Sequence, residues 1–319
     1  MPQTPLVSVV IPAWNGATVL SETLDSLQKQ TYGHFEAIIV DDGSTDDTVA
    51  VIQRFCRTDP RFHAVFRPHS GISITRNTGM EQARAEYIAF LDHDDVWFPE
   101  KLARQMVLFH EDARVNFTYT NFHFWDGKRD LSLYYRNGKP LPDGNANRRL
   151  IFANVFGMST VMVRRELFRK NGGFDACFEG CEDWDMWLRL AENGLWARGI
   201  REPLVRYRRW SGNMSNHKLM MAEGIVRVLE KNLRATQYPE LQPWYQRSLA
   251  FARGKLELAR VRQILNISPQ AVPAAVWRAW RLYPRRLKWL MWFALATWPE
   301  FLGGRVTARI VHRKILRKW

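Results

Sequence analysis

Apolar and polar residues follow one another along the first hundred positions in a pattern that predicts short strands separated by helices. The β-branched apolar segment at positions 7–12, VSVVIP, is typical of a strand buried on both faces. Three similar segments follow it, at positions 35–40, 62–66 and 87–91. Helical periodicity lies between these strands, at positions 19–30, 48–55 and 74–85. We therefore predict a mostly parallel, twisted α/β sheet flanked by helices, with a ligand-binding crevice at the carboxyl edge of its strands.

The pattern is weaker from residue 117 onward. A strand is predicted at 117–124, and the Asp126-Gly127 pair indicates a hairpin turn after it. Helices are predicted at three places further along the chain: 184–191, 218–235 and 241–265. These elements predict one α/β domain over residues 1–215 and a helical C-terminal region over residues 216–319.

Three carboxylates follow the predicted strand at 87–91 within four residues: Asp92, Asp94 and Asp95. Negative charges at this spacing repel one another unless a positive group lies among them, and a hard divalent cation held by carboxylate oxygens meets that need. Asp92 and Asp94 are two residues apart, so a single ion or ligand can meet both. The alternative is an acidic turn, with Asp94 and Asp95 capping a helix that begins near Pro99.

Composition narrows the class of protein. The chain has 319 residues, of which 46% are hydrophobic and 24% charged, and this excludes a disordered protein. Its three cysteines, Cys56, Cys177 and Cys181, form no Cys-x-x-Cys pair, which favours reduced thiols in a cytoplasmic compartment. We expect no signal peptide, and the longest apolar run, 289–298, is about half of the ~20 residues that a spanning helix needs.

Five segments, in order along residues 7–190, carry a family resemblance: VSVVIPAWNG, VDDGSTDDT, GISITRNTG, EYIAFLDHDD and EDWDMWLRL. Together they resemble the successive motifs of family 2 glycosyltransferases with the GT-A fold, over about residues 5–215. The resemblance implies a Rossmann-like sheet, a nucleotide-sugar donor, and Mg²⁺ or Mn²⁺ as cofactor. Each motif alone would be a weak signal, but five in this order are specific.

The resemblance implies roles for single residues of a donor site. Trp14 stands where the family usually has tyrosine and would stack on the nucleobase, and Asp42 would accept a hydrogen bond from that base. Arg76 would face the diphosphate. Asp92 would contact the ribose or a water molecule, whereas Asp94 would ligate the metal ion that stabilises the leaving nucleotide.

Further donor-site candidates come from the same resemblance: Pro12, Met158, Ser159, Glu182, Arg208 and Arg209. Structural alternatives stay open for several of these positions. Asp42 is suited to a turn or a helix cap, Arg76 to a surface helix charge, and the segment 158–160 to a core strand.

Asp183 is the candidate general base, because the resemblance places the base at the aspartate of its Glu-Asp pair. An acceptor hydroxyl is a poor nucleophile, so a carboxylate must take its proton during attack on the anomeric carbon. One base opposite a metal-held leaving group implies an inverting displacement. The alternative is that Asp183 caps the helix that follows it. Position 206 is arginine where processive synthases have glutamine, which favours a single-addition transferase.

The excess positive charge lies in the last third of the chain. Residues 1–203 hold 23 Lys+Arg and 27 Asp+Glu, a net charge of −4, whereas residues 204–319 hold 23 and 5, a net charge of +18. Within 274–319, tryptophans alternate with arginines and lysines, which is typical of a helix lying in a membrane interface. A helical cap with solvated charges is the main alternative, and nucleic-acid binding is weaker because no recognised nucleic-acid motif is present.

The sequence therefore favours a metal-dependent, inverting glycosyltransferase. We expect a nucleotide-sugar donor that is UDP-linked, a glycan or polyprenyl-linked acceptor, and a peripheral location on the cytoplasmic face of the cell membrane through residues 274–319. No nucleic-acid partner is expected. The rivals are a nucleotidyltransferase, which would release pyrophosphate, and an inactive nucleotide-sugar-binding membrane scaffold. The sequence names neither the sugar nor the acceptor.

Overall fold

The computed structural model describes residues 6–136, 140–210 and 212–267. The chain divides into two compact units, with the boundary between Asn216 and His217. The first unit contains the sheet and its flanking helices, and the second unit contains the last two described α-helices.

Within the described residues, nine strands form one sheet: β1 Val7–Ala13, β2 Phe35–Asp41, β3 Phe62–Phe66, β4 Tyr87–Phe90, β5 Val96–Trp97, β6 Phe117–Trp125, β7 Asp130–Leu133, β8 Met162–Arg164 and β9 Ala197–Arg208. Their order across the sheet is β3-β2-β1-β4-β8-β6-β9-β5, and β7 pairs with β6 to one side of this path. The predicted α/β fold is confirmed.

One half of the sheet, β3-β2-β1-β4, is parallel throughout. Val7 on β1 lies beside Phe35 on one neighbour and Tyr87 on the other, so these strands start at a common level. Every residue of β1 and β2 is buried, as expected for parallel strands covered on both faces. The carboxyl ends of these strands therefore meet at one edge of the sheet.

The other half of the sheet is mixed. β8 runs antiparallel to both β4 and β6, whereas β6 and β9 are parallel and β5 is antiparallel to β9. The register between β6 and β9 shifts on both sides of Asn121. Such irregularities re-aim side chains, and here they follow a stretch in which the hydrophobic pattern of the sequence is weak.

Seven α-helices belong to the described part of the first unit: α1 Leu20–Gln28, α2 Thr48–Thr58, α3 Ile72–Gln82, α4 Lys101–Glu111, α5 Asn147–Phe152, α6 Arg165–Lys170 and α7 Glu182–Glu192. The predicted apolar face of α1 is confirmed, because Leu20, Leu24 and Leu27 are fully buried in the core. α3 begins two residues earlier than predicted, directly after Gly71, whose φ of 90° is in the region that favours glycine.

The second unit contains α8 Lys218–Ala235 and α9 Gln242–Ile267, which pack against each other. Fully buried residues on both helices include Val228, Leu229 and Tyr245. Among the residues that the structure describes, no helix combines the length and apolar character needed to cross a bilayer. The proposed membrane-binding segment, 274–319, lies outside the described residues.

Candidate active site

Candidate residues follow the strand ends of the parallel half. Trp14 comes directly after β1, Asp42 directly after β2, and Asp92 and Asp94 within four residues of the end of β4. Because parallel strands share a carboxyl edge, these side chains are held at the same side of the sheet. Pro12 lies buried inside β1, opposite Val40 of β2. Contact of Pro12 with the donor stays a prediction.

The turn after β4 sends two of its carboxylates in different directions. Asp92 accepts a hydrogen bond from Arg76 at 2.7 Å. Asp94 accepts from the indole N–H of Trp210 at 2.9 Å and from the amide of Asn213 at 3.4 Å. Burial raises the pKa of Asp94, and the Asp92 carboxylate adds to the rise. A positive charge placed at Asp94 would therefore be strongly favoured.

The third carboxylate of this turn, Asp95, is completely buried and supports the turn from below. It accepts the backbone N–H of Arg208 at 2.9 Å, which ties the turn to the end of β9. Burial, with the nearby charges of Asp94 and Asp92, raises the pKa of Asp95 well above its usual range. The Oγ of Ser159 accepts the backbone N–H of Asp92 at 3.0 Å. The turn is thus fixed from two elements before any ligand arrives.

Arg76 of α3 joins this turn to α7. One nitrogen of its guanidinium donates to Asp92 and another to Glu182, and its side chain is only 5% exposed. Burial disfavours its charge, but the two carboxylates outweigh burial and raise the pKa of Arg76. A surface helix charge is therefore excluded for Arg76. Its Nε–H is buried and, among the described residues, has no hydrogen-bond partner, so one donor of Arg76 is not engaged by the two carboxylates. Contact of Arg76 with a diphosphate stays a prediction.

Asp42 is buried, and both of its oxygens are engaged by the loop before α3. Oδ1 accepts from the backbone N–H of Ser70 at 3.0 Å and from its hydroxyl at 2.9 Å, and Oδ2 accepts from the backbone N–H of Gly71 at 2.9 Å. These bonds fix the start of α3. The Asp42 carboxylate already accepts three hydrogen bonds, so a nucleobase at this position would have to donate a further one to it.

An aromatic pair stands beside Asp42. The rings of Trp14 and His69 are stacked, with centroids 4.6 Å apart, and Trp14 is 49% exposed. The Nδ1 of His69 lies 2.9 Å from Oδ2 of Asp42. Gly43 permits this arrangement, because a Cβ there would lie 2.7 Å from the backbone nitrogen of His69. An exposed ring face next to a carboxylate suits a planar heterocycle.

Asp183 lies in the first turn of α7. The N-cap position is Cys181, so Asp183 is not the helix cap. One of its carboxylate oxygens accepts the backbone N–H of Trp184 and the other accepts the amide of Asn154, each at 2.7 Å. Burial and then the neighbouring Glu182 carboxylate raise the pKa of Asp183 to about 7. A carboxylate with that pKa is a competent base at neutral pH.

Arg208 and Arg209 lie at the end of β9 and point to different surroundings. Arg208 donates from Nε to the backbone carbonyl of Asp94 at 2.8 Å and from Nη2 to Glu22 at 2.5 Å, so it clamps the carboxylate turn. The Arg209 guanidinium lies over the ring of Phe124, 4.1 Å from its centroid. In this conformation their guanidinium contacts are to protein groups, and contact with phosphate stays a prediction.

The segment 158–160 is a buried 3-10 helix, not the core strand that was the alternative for it. The strand β8 begins after it, at Met162. Met158 and Ser159 are both buried, and Ser159 reaches the candidate site through its bond to Asp92. Lining of the donor sugar by these two residues stays a prediction.

The donor set at the turn after β4 fits a divalent cation that is held in part by a ligand. In the part of the chain that the structure describes, no three His, Cys, Asp or Glu side chains are arranged to hold a metal ion alone. Mg²⁺ bound with a nucleotide is held by one or two carboxylates, by phosphate oxygens and by water. Asp94, buried and with a raised pKa, meets the protein's share of that requirement.

Sequence reasoning missed four side chains at the site: His69, Asn154, Trp210 and Asn213. His69 lies two residues before Gly71, where the third motif begins, and this position was the available signal. Trp210 and Asn213 lie in the segment noted for its arginines. Nothing local marks Asn154, which is 29 residues from Asp183 and belongs to the region of weakest pattern.

Comparisons with known proteins show the family of this chain. The family model for "Glycosyl transferase family 2" matches residues 8–172. TuaG of Bacillus subtilis (strain 168), assigned as a glycosyltransferase of teichuronic acid biosynthesis, is 32% identical over 227 residues, which are 69% of this chain and 85% of TuaG. WfaP of Escherichia coli, named UDP-Glc:alpha-D-GlcNAc-diphosphoundecaprenol beta-1,3-glucosyltransferase, is 33% identical over 67% of this chain and 81% of its own length.

Two solved structures share the fold. S. aureus TarS 1–349 in complex with UDP has a TM-score of 0.63 and 19% identity, covering 89% of this chain and 82% of its own. The mannosyltransferase PcManGT from Pyrobaculum calidifontis, in complex with GDP-Man and Mn²⁺, has a TM-score of 0.60 and 20% identity, covering 99% and 81%. The predicted GT-A fold is confirmed by these likenesses.

Proposed function

The chain belongs to glycosyl transferase family 2, and we propose that it is a metal-dependent, inverting enzyme that moves one sugar from a nucleotide-sugar donor to a glycan or lipid-linked acceptor. The observation that carries the proposal is the Asp92–Arg76–Glu182 chain of ion pairs. It links Asp92, in the same turn as the proposed metal ligand Asp94, to Glu182, the neighbour of the proposed base Asp183.

The proposed donor site uses the carboxyl edge of the parallel strands. Trp14 would stack on the base beside Asp42, and the diphosphate would lie toward Asp94. Asp94 would be the residue that holds Mg²⁺ or Mn²⁺ there, and the ion would supply positive charge that stabilises the negative charge developing on the leaving nucleotide. Trp210 and Asn213 both donate hydrogen bonds to Oδ2 of Asp94. When the ion binds, these bonds would have to break, or Oδ2 would have to be shared between the ion and these donors.

The proposed acceptor side depends on Asp183. Its carboxylate would accept the hydroxyl proton of the acceptor while that oxygen forms a bond to the anomeric carbon and the bond to the nucleotide breaks. Attack opposite the leaving group inverts the anomeric configuration. Because the pKa of Asp183 is about 7, its ionised form is available at neutral pH without making the group too weak a base.

Names of relatives support a UDP-linked donor and a lipid-linked acceptor. WfaP is named for UDP-Glc and a diphosphoundecaprenol-linked acceptor, and TarS was solved with UDP and with UDP-GlcNAc. PcManGT, in contrast, was solved with GDP-Man. We therefore propose a UDP-sugar as donor and a polyprenyl-linked glycan as the first acceptor to test.

The test is a release assay with purified full-length protein. UDP- and GDP-sugars are incubated with Mn²⁺, Mg²⁺ or EDTA, with and without diphosphoundecaprenol-linked glycans. We expect acceptor-dependent release of the nucleoside diphosphate, and a product whose anomeric configuration by NMR is opposite to that of the donor. Release of pyrophosphate would identify a nucleotidyltransferase. Donor binding without turnover of any acceptor would favour the inactive scaffold.

We also propose that residues 274–319 hold the enzyme on an anionic membrane surface. The support is the net charge of +18 after residue 203 and the six tryptophans after residue 276. Co-sedimentation of the full chain with anionic and neutral vesicles, at low and high salt, tests this. We expect binding to anionic vesicles that salt weakens without abolishing. A chain that stays in the supernatant at low salt would contradict the membrane proposal and leave the transferase proposal intact.

A further inference from the structure

Asn154 makes the one side-chain hydrogen bond that the structure shows reaching Asp183. Its Nδ2 donates to the carboxylate Oδ2 at 2.7 Å. The amide oxygen of Asn154 is buried and, among the described residues, has no hydrogen-bond partner. An unpaired buried amide oxygen is costly unless another donor arrives, so this atom is suited to a hydroxyl group of a ligand.

The segment that carries Asn154 is fixed by two tyrosines that follow β7. The hydroxyl of Tyr134 donates to the backbone carbonyl of Asn154 at 2.9 Å, and the hydroxyl of Tyr135 donates to that of Val155. Tyr134 is itself tied to β6, because its backbone N–H donates to Phe122 at 3.0 Å. These bonds hold the backbone of Asn154 against the sheet. Because Asn154 in turn donates to Asp183, the sheet sets the direction of the Asp183 carboxylate.

We propose that Asn154 is the positioning residue of the general base: its amide donates to Oδ2 of ionised Asp183, and its free amide oxygen accepts a hydrogen bond from the acceptor sugar. This inference rests on the proposed function, because it takes Asp183 to be the base and a sugar to be the acceptor. Since the backbone N–H of Trp184 holds Oδ1, the two donors together fix the plane of the carboxylate.

The orientation of the amide follows from charge. An N–H facing an ionised carboxylate is attractive, whereas the amide oxygen facing it would be repelled. Four other charged or titratable groups face Asp183: Glu182 and Cys181 beside it, Arg76 from α3, and Tyr134 from the end of β7. Glu182 raises the pKa of Asp183, while Asn154 and Arg76 lower it. Loss of the Asn154 donor should therefore raise the pKa further.

The test measures the pKa of Asp183 directly. Full-length protein is labelled with ¹³C at the aspartate carboxyl carbon, and the Asp183 signal is identified as the one lost in Asp183→Asn. Asn154→Ala removes the donor, and Asn154→Asp keeps the shape but places a second carboxylate there. Tyr135→Phe is the control, because it loosens the same segment at Val155 and leaves the Asn154 side chain intact.

We expect the pKa of Asp183 to rise by about one unit in Asn154→Ala, since a hydrogen bond to a charged group typically has that effect, and to rise further in Asn154→Asp. Tyr135→Phe should leave it within about 0.3 units of the wild-type value. The acid limb of kcat/KM should move by the same amounts. At saturating acceptor, Asn154→Ala would then lose about fivefold in rate at pH 7 and regain most of it above pH 9, whereas its KM for the acceptor should stay raised at every pH because the amide oxygen is lost too.

Two results would overturn the inference: a pKa of Asp183 that does not move in Asn154→Ala, or one that moves equally in Tyr135→Phe. The failure of the proposed function is distinguishable from either. If the NMR shifts occur but the wild-type chain transfers sugar from no donor, the contact stands and the general-base assignment fails with the proposed function. If the chain transfers sugar and the shifts are absent, the function stands and Asn154 has no positioning role.

Discussion

Two regions of the first unit contribute to the site in different ways. The donor-side region, residues 7–95, supplies the residues that follow the parallel strands. The acceptor-side region, residues 117–208, supplies Asp183 and the segments that hold it. In the donor-side region the candidate residues are adjacent to strand ends, so local sequence determines where they lie. In the acceptor-side region Asp183, the proposed base, is held by Asn154, which lies 29 residues earlier in the chain.

Two adjacent residues in the first turn of α7, Glu182 and Asp183, connect the two regions. Glu182 turns toward Arg76 of the donor-side region, and Asp183 turns toward Asn154 of the acceptor-side region. The first turn of α7 is therefore the point at which both regions meet. In the proposed function, donor binding and proton removal share one helix end but have separate supports, so they should respond separately to mutation.

The largest effect is expected for a substitution of Asp183, the proposed base, which should separate donor binding from proton removal. We expect Asp183→Asn to retain donor binding and to lose about 10²–10⁴-fold in transfer rate, because an amide cannot accept the proton of the acceptor. Calorimetry with the donor and initial rates of nucleotide release measure the two properties. Loss of donor binding would mean that Asp183 belongs to the donor-side region instead.

The same variant should change stability in a known direction. The Asp183 carboxyl has a pKa of about 7 in the folded protein and about 3.9 when unfolded. The folded state therefore holds the proton more tightly, and the contribution of this group to stability falls as the pH rises from about 4 to 7. Asp183→Asn should accordingly be more stable than the wild type at pH 8, as thermal melting can check.

The connection between the two regions can be broken at Arg76. Arg76→Met leaves the carboxylates of Asp92 and Glu182 without their shared cation, and breaking a buried ion pair typically costs about 3–5 kcal/mol of unfolding free energy. Urea denaturation measures this loss. Arg114→Met is the matched control: its pair with Asp112 is largely exposed to solvent, so little or no loss of unfolding free energy is expected. Equal effects would show that Arg76 does not join the regions.

The next prediction concerns Asp94, on the donor side alone. Asp94→Asn removes the carboxylate charge proposed to hold the metal ion, and should lower the transfer rate on the order of 10²-fold, with little change in stability. Rates measured across a Mn²⁺ titration check this. The exposed Asp47 gives a control, Asp47→Asn, that should match the wild type. Activity in EDTA equal to that in Mn²⁺ would contradict metal dependence altogether.

The smallest expected effect concerns the nucleobase. Trp14→Ala removes the exposed ring that stacks on His69, and should weaken UDP binding about tenfold or more, because stacking on a base contributes about 1–3 kcal/mol. Trp14→Phe should recover part of the affinity. Calorimetry with UDP measures both. Trp196→Ala, at another tryptophan with a similar exposure of 38%, is the control and should bind UDP normally.

The sequence by itself determined the parallel half of the fold. Strands such as β1 and β2 are buried on both faces, so their apolar runs are continuous and legible without neighbours. Residues at the ends of parallel strands must converge because the strands share a direction. The sequence therefore predicts that Asp42, Asp92 and Asp94 lie at one edge of the sheet.

The tertiary structure alone decided which partners the polar side chains of the site have. Asp95 looks identical to Asp94 in the sequence, yet it is buried against the backbone of Arg208, 113 residues away. Arg76 has the sequence of a surface helix charge and instead joins Asp92 to Glu182. Asn154 has no local signal at all, because its role comes from a contact between distant segments. Periodicity reports which face of an element is buried, whereas the partner of a buried polar group depends on chain segments that only folding brings together.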